Sequence, residues 1–161
     1  MKDLYLRETA EKKRKTIKYW VIITVAIVVA AIVACVIISI NVNTANAAKL
    51  QLTATLVSIV AGWAVIFFWF AIIDYNRKLA MHYNLVVDLE RERVVGELVL
   101  GKKKTKIGGV TSYAAIIRTG APEPIEALVF EGHYDELKKL KGKHVFEMAY
   151  NFVAGYGEEA L

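Results

Sequence analysis

Twenty consecutive residues, Val21 to Ile40, carry no charge, and thirteen of them are Val or Ile. Coiled at about 1.5 Å per residue, such a run measures roughly 30 Å, the hydrocarbon thickness of a bilayer. Each Val or Ile contributes roughly −0.3 to −0.6 kcal/mol, so the run as a whole favours insertion by on the order of 5 kcal/mol. A second uncharged run, Leu52 to Ile73, opens mildly with Thr53, Thr55, Ser58 and Gly62 and ends in Trp63, Phe67, Phe68, Trp69 and Phe70. It is also long enough to span. The expectation is a membrane protein anchored by two helices, with the C-terminal half outside the bilayer.

Charge fixes the expected orientation. Residues 1–18 hold seven Lys/Arg against three Asp/Glu, Lys49 stands alone between the runs, and Arg77, Lys78, Arg91 and Arg93 follow the second run. Basic residues favour the cytoplasmic side, which predicts a multi-pass cell-membrane protein with both termini cytoplasmic. Tyr19 and Trp20 precede the first run, while Trp69 and Tyr75 bracket the end of the second, so all four are expected as interface anchors at one membrane face. Small residues recur at every fourth position, Ala26, Ala30 and Ala34 in one run and Ala54, Ser58 and Gly62 in the other, a spacing that predicts close helix packing or self-association.

Two patterns compete with retention of the first helix. Ile32 to Cys35 resembles a lipoprotein signal box, and Ala45-Asn46-Ala47 resembles a signal-peptidase site. The apolar run exceeds the roughly 7–15 residues of a signal h-region, and Cys35 is followed by further apolar residues, so an uncleaved helix is favoured. Cleavage after Ala47 would leave one spanning helix. Cys35 is the only cysteine, which excludes an intramolecular disulfide and a cysteine-based zinc site.

The formal net charge of +5 does not point to nucleic acid, because the chain from Asp74 onward balances thirteen basic against thirteen acidic residues. Tyr113, Tyr150, Phe152 and Tyr156 offer material for a base-stacking platform, which this neutrality disfavours. The resulting division is a basic N-terminal segment at 1–18, spans at 19–41 and 50–73, a short external loop at 42–49, a helical stalk at 74–92 and a β-rich domain at 93–161.

Within that domain Val94–Leu100, Tyr113–Ile117, Ile125–Phe130 and His144 to about Tyr156 are rich in β-branched and aromatic residues. In the last stretch Phe146, Met148, Tyr150, Phe152, Ala154 and Tyr156 alternate with more polar positions, the pattern of a half-buried ladder, and Asn151 suggests a bend or hairpin that splits it in two. A short helix is expected over Tyr134–Leu140, with His133 or Asp135 as its cap. This order predicts an α+β membrane protein, a two-helix hairpin followed by a small barrel of OB-like or SH3-like type. Gly101-Lys102-Lys103-Lys104-Thr105-Lys106 lacks the ending of a P-loop and is expected as a hairpin tip, with Lys102, Lys103, Lys104 and Lys106 as candidate contacts to anionic lipid.

No nucleophile motif, metal-ligand spacing or cofactor signature emerges, and neither an enzyme nor a cofactor is expected. The expected function is interaction with another membrane protein or with itself, assembling or regulating a complex. A lipid or small-molecule sensor is the alternative. A hairpin with a small barrel resembles, in architecture alone, the NfeD-type membrane partners of membrane-bound proteases.

Overall fold

A computed structural model describes residues 1–43 and 45–158; Thr44, within the expected loop, and residues 159–161, at the end of the expected β-domain, lie outside the described residues. The elements in order are β1 (Lys2–Asp3), α1 (Arg7–Ile40), α2 (Ala47–Phe67), a π-helical segment (Phe68–Asp74), α3 (Tyr75–Asp88), β2 (Arg91–Ile107), β3 (Val110–Arg118), β4 (Ile125–Phe130), α4 (Glu131–Leu137), β5 (Lys143–Ala149) and β6 (Phe152–Glu158). The protein is α+β, with two long apolar helices and a β-sheet domain. Its residues fall into two compact units, 13–77 and the combination of 1–12 with 78–161.

The first unit is a helical hairpin. Both helices contain an eighteen-residue window apolar enough to cross a membrane, of mean hydropathy 3.4 in the first and 2.5 in the second, and only 6% of each window is buried. Thr24, Ile27, Ala31, Ala34, Cys35 and Ile38 form the less exposed stripe of α1, and Ala54, Val57, Ala61, Ala64 and Val65 that of α2. This alternation of three and four residues keeps one side of each helix toward its neighbour. Hydroxyls along the helices are satisfied locally: Thr24 donates to Trp20 O at 2.8 Å, Ser39 to Cys35 O at 2.8 Å and Ser58 to Ala54 O at 2.9 Å. At the reversal Asn41 donates to Ile37 O at 2.7 Å, and Asn43 Oδ1 accepts the Asn46 N–H at 3.1 Å, so asparagine side chains replace missing helical partners.

In the second unit β2 pairs antiparallel with β3 on one side and β5 on the other. β3 pairs with β4, β5 with β6, and among the described residues β4 meets β6 in parallel at Leu128↔Phe152. Buried Phe146, Ile117, Val129 and Val153 form the centre of the core. Leu79, Tyr83 and Val86 of α3 belong to the same cluster, spaced to share one helix face. The compact unit takes in residues 1–12 and 78–161, so one face of α3 packs with the sheet.

Several local expectations are corrected. Residues 101–106 lie inside β2, and the hairpin turns at Gly108-Gly109, between the paired Ile107 and Val110. Both glycines have positive φ, 61° and 82°, as a two-residue hairpin turn of this hand requires. The short helix spans Glu131–Leu137, one turn earlier than expected, and its N-cap is Phe130 with no side-chain cap, so neither His133 nor Asp135 caps it. Asn151 does sit at the β5–β6 turn, but Tyr150 leaves the core ladder: it is 78% exposed, with φ at 55°.

Candidate functional site

The N-terminal segment is tied into the sheet domain. Lys2↔Tyr156 and Asp3↔Gly155 add β1 to the edge of β6, and the Leu4 N–H donates to Ala154 O at 2.8 Å. A Cβ on Gly155 would stand 2.9 Å from Lys2 O, so this approach depends on glycine. Charges reinforce it. Arg91 donates to both Glu147 and Asp3 at 3.1 Å, Lys2 pairs with Glu136 at 2.6 Å, and Arg7 pairs with Asp88 at 2.9 Å. Tyr156 also donates to Glu136, at 2.7 Å; Lys2 first and Tyr156 second hold that carboxyl below its usual range.

Behind β1, Tyr5 is 1% exposed and carries its hydroxyl to His82 Nε2 at 3.2 Å. Tyr83, the next residue of α3, reaches His133 Nε2 of α4 at 3.1 Å. Phe130 and Phe152 flank His82 with ring centres at 5.5 and 4.9 Å. Burial pushes the His82 imidazole down to about 4, with the neighbouring His133 adding to the shift, and burial also lowers His133. The Tyr5 hydroxyl is pushed up by desolvation and then by Tyr83. These rings therefore sit as neutral groups hydrogen-bonded to one another. Their arrangement holds three separate chain segments together.

A second feature is basic. Residues 101–118 contain Lys102, Lys103, Lys104, Lys106 and Arg118 and no acidic residue. Lys104 is engaged: it donates to Glu131 at 2.9 Å and lies 5.1 Å from the Tyr113 ring centre. Lys102, Lys103 and Lys106 are exposed. The possible stacking platform does not assemble: Tyr113 lies against Tyr134 at 4.1 Å, Phe152 is buried, Tyr150 sits at the β5–β6 turn, and Tyr156 is bonded to Glu136.

The expected packing residues are spread around the helices. Ala34 and Ala54 are half-buried, whereas Ala26, Ala30, Ser58 and Gly62 are exposed. Ser58 and Gly62 line an apolar cleft of about 850 Å³ between α1 and α2, with Cys35 Sγ 3.6 Å from Ser58 Oγ, and Ala30 lines another of about 500 Å³. Among the expected anchors, Trp20 packs on Phe68 with ring centres 4.9 Å apart, which brings the start of the first apolar run beside the end of the second. Tyr19, Trp69 and Tyr75 are exposed.

Sequence reasoning missed β1 and the Tyr–His cluster. A strand of two residues carries no periodicity, and the cluster draws on residues 5, 82, 83 and 133. The Gly108-Gly109 pair was the available signal for the true turn. No protein-family model, curated protein or solved structure matches the chain.

Proposed function

We propose that the two apolar helices cross the cell membrane as a hairpin, leaving both termini and the sheet domain on the cytoplasmic side. The supporting observation is the exposure of the apolar runs: Ile22, Ile32, Val60, Trp63 and Phe70 are each half-exposed or more, a surface suited to lipid and costly in water. Seven basic residues precede the first span and Arg77 and Lys78 follow the second, which supports the orientation. Helix-to-backbone satisfaction of every hydroxyl described above suits the same environment.

In this reading the sheet domain is a partly closed barrel of OB-like connectivity. The support is the cycle of pairings from β2 through β3, β4, β6 and β5 back to β2, with α4 between β4 and β5. Its role is non-catalytic protein–protein interaction that assembles or regulates a membrane complex. Among the described residues β4 and β6 meet at one residue pair, which leaves Ile125–Ala127 with an edge that no described strand covers, beside a cleft of about 250 Å³ lined by Ala114, Ile116, Glu126, Leu128 and Asn151. Such an edge can take an extended segment of a partner as an added strand.

Two measurements test the reading. Alkaline carbonate should leave the protein in the membrane pellet; release into the supernatant overturns the anchor. Crosslinking in native membranes with mass spectrometry should return one recurrent membrane partner from residues near β4. Crosslinks confined to other copies of this chain would replace the adaptor role with self-assembly. The exposed lysines of β2 favour a second reading, contact with lipid.

A further inference from the structure

We propose that the β2–β3 hairpin is a binding site for anionic lipid headgroups, with Lys102, Lys103 and Lys106 as its contacts. The proposal rests on the reading of Leu52–Ile73 as a membrane span. Three observations on the sheet domain carry it.

The first is segregation of charge. The chain beyond Asp74 is balanced overall, yet residues 101–118 hold five basic and no acidic residues. Among the described residues, Lys104 alone of the four lysines there pairs with a carboxylate, Glu131 at 2.9 Å. The second is the backbone. Register runs Leu100↔Ala115 and then Lys104↔Tyr113, so Gly101, Lys102 and Lys103 stand opposite the single residue Ala114. A bulge of this kind breaks the ladder and turns side chains out of the sheet. Two consecutive lysines at such a place contribute nothing to the core.

The third is the residue on which the turn packs. A Cβ on Gly109 would stand 2.6 Å from Lys78 Cδ, so the turn of the hairpin lies on the aliphatic stem of Lys78. Lys78 follows Ile73, the last residue of the second apolar run, by five positions, so the turn packs on a residue that is close in sequence to the proposed span. Lys106 stands two residues before that turn.

The expected strength is modest. A basic residue at an anionic surface shifts the bound-to-free ratio by about fivefold, so three together shift it roughly a hundredfold at low salt. For a domain already tethered beside the surface, that is enough to decide whether the hairpin rests on the lipid.

The test uses the full chain in nanodiscs of phosphatidylcholine with or without phosphatidylglycerol, carrying lipids spin-labelled at the headgroup. A fluorophore is placed on Thr105→Cys in a Cys35→Ser background. Strong quenching in anionic discs, weak quenching in neutral discs, and loss of the difference in both Lys102/Lys103/Lys106→Glu and the milder →Gln variant support the proposal. A Lys138/Lys139/Lys141→Gln control should retain the difference. Equal quenching in the two lipids, or a difference that survives neutralisation of the three lysines in a variant with wild-type circular dichroism, overturns it. Failure of the wild-type chain to enter discs at all is a separate outcome and overturns the membrane span itself.

Discussion

His82 shows how burial converts a surface-type residue into a conditional one. It is 7% exposed and faces Tyr5, Phe130 and Phe152, and burial first, then the nearby His133 imidazole, lowers its pKa from 6.5 to about 4. Folding with a depressed histidine leaves the unfolded chain binding more protons between those two values. Stability is therefore fully present above pH 6.5 and is lost as pH falls toward 4, by about 3 kcal/mol in total. His133 shifts in the same direction and adds to the loss. Thermal melts of the full chain in detergent should show a midpoint that falls through this window. His82→Gln keeps an acceptor for the Tyr5 hydroxyl and removes the titration, so its midpoint should fall less steeply; parallel profiles for the two proteins would assign the acid sensitivity elsewhere.

At the scale of elements, the least conspicuous strand has the most specific requirement. β1 is two residues long and depends on Gly155 for its approach to β6. Gly155→Ala should force the strands apart at a cost of about 1–3 kcal/mol, as overpacking of a fitted contact does. Hydrogen exchange would then quicken at Leu4, whose N–H is bonded to Ala154 O, and stay unchanged at the β3–β4 ladder. Unaltered exchange at Leu4 would show that the strand does not need this glycine. The apolar helices and the strands at 113–117 and 125–130 were legible in sequence because composition and β-branched content act locally. The basic segment was not, since four lysines in a row of six resemble a loop, although the pleat accepts them once one side faces water. Tyr150 was misplaced for a related reason: a period of two continues through a turn on paper, while the chain itself reverses there.

For the molecule as a whole, the sheet domain is assembled from both sides of the hairpin, residues 1–12 and 78–161. A fragment of 78–161 alone lacks Tyr5, whose loss by truncation is comparable to removing a buried aromatic, about 3–5 kcal/mol. We expect this fragment to show poor dispersion in its amide spectrum, and a peptide of residues 1–12 to restore it on titration; a well-folded fragment indifferent to the peptide would demote the N-terminal segment to decoration. Sequence reading saw the two flanks as separate because nothing in residues 1–12 alternates or repeats, and their fit exists only against β6 and α3.

Lys2 and Tyr156 pair although almost the entire chain separates them. Contacts of that sequence distance come late in folding. On a ribosome adding roughly 5–20 residues per second, the first strand waits on the order of ten seconds or more for its partner. During that interval the first helix is already synthesised, and the waiting strand and Tyr5 must be shielded or tolerated in solvent. Any extension fused ahead of Met1 would ride through the same wait and emerge beside the final sheet edge, so the choice of tag terminus is itself a perturbation of the order in which this protein is built.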